Sequence, residues 1–113
     1  MAIYVVNKKY PEGYDSRSGV VVYIGRPSIF GNPYQGGTRE EQIAFYRGYW
    51  LDSMGKHGGF RRAAENLLDI ARTRDVYLVC WCAPKPCHGD IIKRWIEERL
   101  REEAKGERCE EKA

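Results

Sequence analysis

The chain has 113 residues, of which 42% are apolar and 31% charged, and a formal net charge of +3. That length and composition describe one globular domain with a modest core and exclude a disordered chain. The charge permits an anionic partner, but it lacks the concentrated basicity of a dedicated nucleic-acid binder.

No apolar run is long enough to cross a bilayer. The N-terminal MAIYVVNKKY lacks the basic-then-apolar layout of a signal peptide and reads as a first strand, so a cytoplasmic protein with no membrane partner is expected. The cysteines then read as reduced thiols or metal ligands rather than disulfides.

Ile3 to Asn7 is a short β-branched run and is predicted to be strand one. A polar, turn-rich connection too short for a crossover helix leads to strand two, Gly19 to Gly25, which is expected to hairpin against strand one. A parallel pair remains open if the two strands are not neighbours. The stretch Arg26-Pro27-Ser28-Ile29-Phe30-Gly31-Asn32-Pro33-Tyr34 then describes a loop of fixed shape, with two prolines, a glycine and an asparagine in close succession. Thr38-Arg39-Glu40-Glu41 is a capping box, so helix one is predicted over about Arg39 to Met54, with Ile43, Tyr46, Trp50 and Met54 on its apolar face. Gly55 and the Gly58-Gly59 pair break it. Helix two, about Phe60 to Arg72, places Phe60, Ala63, Ala64, Leu67, Leu68 and Ala71 on one side. Strand three, Val76 to Cys82, is apolar throughout, as central strands of parallel sheets are. Helix three begins near Asp90, read as its N-cap. It runs to about Lys105 with Ile91, Ile92, Trp95, Ile96 and Leu100 inward, and Gly106 ends it. The expected architecture is a small Rossmann-like α/β domain over residues 1–105, with a short sheet flanked by helices in the order β-β-α-α-β-α. A charged tail follows at 106–113.

If strands two and three are parallel, the crossover carrying the first two helices joins them and their carboxyl ends share one edge. RPSIFGNPY and CWCAPKPCHGD then face each other where open α/β sheets bind ligands.

The second of these loops carries Cys80, Cys82, Cys87 and His88. Cys87, His88 and Asp90 sit at a helix start, where unsatisfied amides and the dipole stabilise an anion. Cys87 is therefore a candidate nucleophile, with Lys85 and His88 as neighbouring influences, and the bland alternative is a cysteine packed under a proline turn. A zinc site built from Cys80, Cys82, Cys87 and His88 is the other reading. The spacing tells against it, since Cys80 and Cys82 lie two apart on an extended strand and Cys87 adjoins His88. There is also no H-x-E of a zinc deaminase. From the first loop, Arg26, Ser28 and Asn32 are candidate ligand-binding residues, Arg26 suiting a phosphate or carboxylate opposite a helix N-terminus. Turn capping is the ordinary use of Ser28 and Asn32. Of the rest, His57 reads as a turn residue, Glu40 and Glu41 as helix-start acids, and Cys109 as incidental.

YIGRPSIFGNPY followed by LVCWCAPKPCHGDII resembles a family found in phages and prokaryotes, the domain of unknown function numbered 4326. The likeness runs from the VVN of strand one through helix three. Its pattern carries onto Gly25, Arg26, Gly31, Asn32 and Pro33, and onto Cys80, Trp81, Cys82, Pro84, Pro86, Cys87, His88 and Gly89. The resemblance implies a shared domain and site, and no particular reaction. Its phage association leans toward nucleotides or nucleic acid.

The resulting expectation is an enzyme, a hydrolase or transferase using Cys87 or His88, acting on a nucleotide, another anionic small molecule or a nucleic-acid component. Arg26, Ser28, Asn32 and Gly89 would bind the ligand and Cys87, His88 and Asp90 would serve catalysis, with no cofactor unless zinc is held. The alternative is a non-catalytic module binding nucleic acid or protein.

Overall fold

The computed structural model describes residues 2–9, 19–26, 28–34, 36–56, 58–81 and 87–112, the residues 106–112 for their backbone alone. Three strands and three helices follow in chain order: β1 (Ile3–Asn7), β2 (Gly19–Tyr23), α1 (Arg39–Lys56), α2 (Gly58–Ala71), β3 (Asp75–Cys80) and α3 (Gly89–Lys112). This is the expected α/β order.

The sheet is wholly parallel, in the order β1-β3-β2. Ile3 pairs with Val76 and Asn7 with Cys80 on one side of β3, while Val20 pairs with Val76 and Tyr23 with Val79 on the other. The expected hairpin between the first two strands is therefore corrected: β1 and β2 lie on opposite edges of β3 and run the same way. The expectation rested on the connection being too short to hold a helix. A return between parallel strands needs only length, and an extended chain covers about 3.3 Å per residue. Residues 10–18 of that connection lie outside the described residues. The likeness to a Rossmann fold is correspondingly loose, resting on parallel strands and flanking helices rather than on strand order.

Alternation along the strands decides the faces. Ile3, Val76, Leu78, Cys80 and Ile24 enter one buried cluster with Tyr46 and Trp50 of α1, Phe60, Ala64, Leu67, Leu68 and Ala71 of α2, and Ile92 and Ile96 of α3. The residues between them point to the other face, where Tyr4 and Tyr77 stack at 5.1 Å between centroids and Tyr4 stays exposed. Val79 on that face is buried too.

Each helix buries the stripe its periodicity predicts, with Ile43, Met54, Ala63, Ile91, Trp95 and Leu100 half-buried at the margins. The α1 capping box forms: the Glu41 amide donates to Thr38 Oγ1 at 3.1 Å, and the Thr38 amide reaches Glu41 Oε1 at 3.4 Å. Gly55 does not stop α1, which runs on to Lys56, and Gly58 and Gly59 open α2 instead of separating the helices. Gly106 likewise does not end α3, which continues to Lys112. A glycine in a helix costs about 1 kcal/mol, which the rest of a long helix can offset. No helix among the described residues is long and apolar enough to cross a membrane.

Candidate functional site

Parallel strands bring three chain segments to one edge: the end of β1, the loop after β2, and the junction from β3 to α3. The loop after β2 is held at several points. The Ser28 amide donates to the Gly25 carbonyl at 2.8 Å and the Gly31 amide to the Ser28 carbonyl at 3.0 Å, two successive turns. Phe30 is buried against Trp50 and Phe60, and the Tyr46 hydroxyl donates to its carbonyl at 2.6 Å. Burial keeps the Tyr46 phenol protonated, well above the ordinary tyrosine range, so it serves as a donor. Asn32 Nδ2 donates to the Gln42 carbonyl at 3.0 Å, and its Oδ1 accepts the Tyr34 amide at 3.0 Å. The loop is thus fastened to α1 before any ligand arrives.

A second wall comes from the ends of β1, β2 and β3. The Trp81 indole Nε1–H donates to the Tyr23 hydroxyl at 3.1 Å, and that hydroxyl donates to the Arg26 carbonyl at 2.9 Å. Asn7 Nδ2 donates to the Trp81 carbonyl at 3.2 Å. The Lys8 ammonium lies 4.9 Å from the Tyr23 ring centroid and 5.4 Å from that of Trp81. A Cβ at Gly25 would collide with the Tyr23 hydroxyl, so glycine there permits this packing.

The floor is the start of α3. Cys87, not Asp90, holds the cap position: its Sγ accepts the Gly89 amide at 3.3 Å, while Asp90 Oδ2 accepts the Cys87 amide at 3.1 Å. This is a capping box with sulfur in the place of a hydroxyl. The predicted role of Asp90 as N-cap is corrected accordingly, to the acid that reaches back. Two amides expected to face an anion are thereby engaged within the cap, Gly89 among them. Gly89 has a packing reason of its own, because a Cβ there would stand 2.8 Å from Ile24 Cδ1 and 3.0 Å from Val5 Cγ1.

Cys80 and Cys87 are buried, 1% and 3% exposed, and their sulfurs stand 3.5 Å apart. His88 lies between the loops: its Nε2 hydrogen is donated to the Ile24 carbonyl at 2.7 Å, and its ring meets Tyr46 edge-on at 4.9 Å. Burial lowers its pKa below the ordinary 6.5, and the nearby Arg26 cation adds to this against the opposing Ile24 hydrogen bond and Asp90 charge. The imidazole is therefore neutral near pH 7, with Nδ1 left as the acceptor.

These walls enclose a cavity of about 250 Å³. Arg26, Arg39, Asn32, Gln42, Tyr23, Tyr34 and Trp81 line it, with Cys80, Cys87 and His88 among them. Among the described residues its lining contains two arginines and no carboxylate. Of the residues singled out from sequence, Arg26, Asn32, Cys87 and His88 meet here. Asp90 lines a broader neighbouring groove with Trp50, Trp95 and Arg94 of α1 and α3. Ser28 is not part of the lining, and its Oγ is buried with no hydrogen-bond partner among the described residues. Lys85, Cys82 and His57 lie outside the described residues.

Tyr23, Arg39 and Gln42 had not been singled out for the site, and Trp81 had entered only through the resemblance. Arg39 and Gln42 are three apart in the first turn of α1, a spacing that puts both on one side. That spacing was a usable signal. Nothing local marked Tyr23, because its partner Trp81 is distant in sequence.

Among the described residues no group of three or more His, Cys, Asp or Glu is placed to hold a metal ion. The four-ligand zinc set also requires Cys82.

A family model described as a domain of unknown function, DUF4326, matches residues 6–98, which include both loops and every residue lining the cavity. The chain belongs to this family. An uncharacterised 12.4 kDa protein of enterobacteria phage T4, named for the nrdA-td intergenic region, is 30% identical over 97 residues, covering 71% of this chain and 87% of the phage protein. No solved structure matches.

Proposed function

We propose that the protein is a small enzyme acting on a phosphorylated ligand, a nucleotide or nucleic-acid component, bound in the cavity at the carboxyl edge of the sheet. The observation that carries this reading is the lining: Arg26 and Arg39 stand on one cavity beside a neutral imidazole and the Cys87 sulfur. Two guanidinium groups lining one cavity favour an oxyanion, and arginine matches the forked geometry of phosphate.

The anion belongs at Arg26 and Arg39 rather than at the start of α3, where the Gly89 amide already goes to Cys87 Sγ and the Cys87 amide to Asp90. His88 suits general base catalysis, since a ring fixed through Nε2 and neutral at pH 7 offers Nδ1 to a proton. Cys87 is the candidate nucleophile, its sulfur stabilised by the Gly89 amide. Asn32 acts by holding the loop, and Asp90 by holding Cys87. A flat basic face would have favoured a non-catalytic module binding nucleic acid or protein, whereas a cavity closed between two loops favours a small molecule.

The test is a screen of phosphorylated nucleosides for product formation, repeated with Cys87→Ser and His88→Ala. Serine keeps a cap acceptor, so the fold should hold to within about 1 kcal/mol. Thiol catalysis predicts loss of turnover in Cys87→Ser. Base catalysis alone predicts that this variant stays active while His88→Ala falls by about 10²–10⁴-fold. Undiminished product from both variants would remove the catalytic reading of this site.

A further inference from the structure

Trp81 carries a further inference. It is 58% exposed at the end of the central strand, where it lines the cavity. An exposed indole ordinarily samples several rotamers, but this one is held: Nε1–H is bound to Tyr23 and the Lys8 ammonium lies against the ring, while the backbone is tied to Asn7. The entropy of ordering it has been spent before a ligand binds, which is preorganisation. Tyr34 lines the cavity from the opposite loop, stacked on Phe45 at 5.0 Å and 28°. Arg26 and Arg39 line the same cavity.

We infer that the cavity takes a single nucleoside monophosphate, its base stacked on Trp81 and its phosphate at Arg26 and Arg39, with Trp81 the residue that distinguishes a nucleotide from other phosphate esters. This rests on the phosphorylated-ligand reading above and narrows it. Flat aromatic faces recognise bases through stacking, which tolerates different bases because each has a π-face. A volume of about 250 Å³ lies just below the usual range of ligand cavities, so it leaves room for at most one nucleotide and none for a strand.

The experiment is calorimetric titration of the full chain with AMP, GMP, CMP and UMP, and separately with ribose 5-phosphate and a short single-stranded oligonucleotide. At least one monophosphate should bind about ten-fold or more tightly than ribose 5-phosphate. Trp81→Ala should abolish that margin and leave ribose 5-phosphate affinity unchanged, whereas Trp81→Phe should keep most of it. Equal affinities for the monophosphates and ribose 5-phosphate, or a Trp81→Ala variant that retains the margin, would overturn the stacking inference while the phosphate reading stands. Tighter binding of the oligonucleotide would overturn the commitment to a mononucleotide. Absence of binding to every one of these phosphates would overturn both readings together.

Discussion

His88 shows how one side chain ties stability to pH. Burial lowers its folded-state pKa, so between that value and the unfolded value near 6.5 the unfolded chain binds more protons. The stability associated with the neutral ring is present above about pH 6.5 and is lost as pH falls through the folded value. His88→Gln retains an amide donor for the Ile24 carbonyl and removes the titration. Urea midpoints at about pH 7.5 and about pH 5 should fall less in this variant than in the parent. Equal declines would show that another group governs the acid sensitivity. Tyr46 is the second residue on which the site depends. In Tyr46→Phe the buried Phe30 carbonyl loses its donor, which should cost about 1–3 kcal/mol in chemical denaturation and weaken ligand binding through the loosened loop. A variant of parental stability would mean that the loop is held by its other contacts.

Among the elements, α3 is the one whose entry into the fold builds the floor. Gly89 lets the helix start approach both β1 and the end of β2, and Asp90 closes the cap. Gly89→Ala forces a methyl group against Ile24 and Val5, an overpacking cost of about 1–3 kcal/mol. Asp90→Ala removes half of the capping box and should cost about 0.5–2 kcal/mol. Thermal denaturation of the two single variants and the double variant would check both. The sites share one helix turn, so their effects should fall short of additivity, and strict additivity would argue that cap and close approach are independent. Helix positions, the α1 capping box and the buried stripes were all legible in the sequence, because each depends on residues within a few positions of one another. The exact cap of α3 was not. Asp90 has the right chemistry for an N-cap, but three residues earlier the sulfur of Cys87 takes the role and Asp90 reaches back.

For the whole molecule, β3 is the spine. Both other strands pair with it, and Val76, Leu78 and Cys80 carry its buried face. Leu78 is fully buried in the core cluster, so Leu78→Ala should cost about 2–5 kcal/mol in urea unfolding. A loss below about 1 kcal/mol would mean that the core collapses around the change. The parallel sheet also explains why the site exists at one edge: β2 and β3 end together, and α1 and α2 occupy the connection between them.

Taken alone, the sequence determined which segments are helix or strand and which faces are apolar, and it put RPSIFGNPY and CWCAPKPCHGD at one sheet edge on the condition that β2 and β3 run parallel. Those properties follow from periodicity, capping and chain connectivity, which are local or nearly so. Tertiary structure decided that β1 lies across β3 from β2, because strand pairing depends on which edge remains open and not on nearness in sequence. It also decided how hydrogen-bonding capacity is shared out. The Gly89 amide goes to Cys87 Sγ and the Cys87 amide to Asp90, and the Asn32 carboxamide goes to Gln42 and Tyr34. Arg26 and Arg39, thirteen residues apart in the chain, meet on one cavity. Trp81 joined Tyr23 and Lys8 only through folding, since what pins the indole comes from strands far apart in the chain.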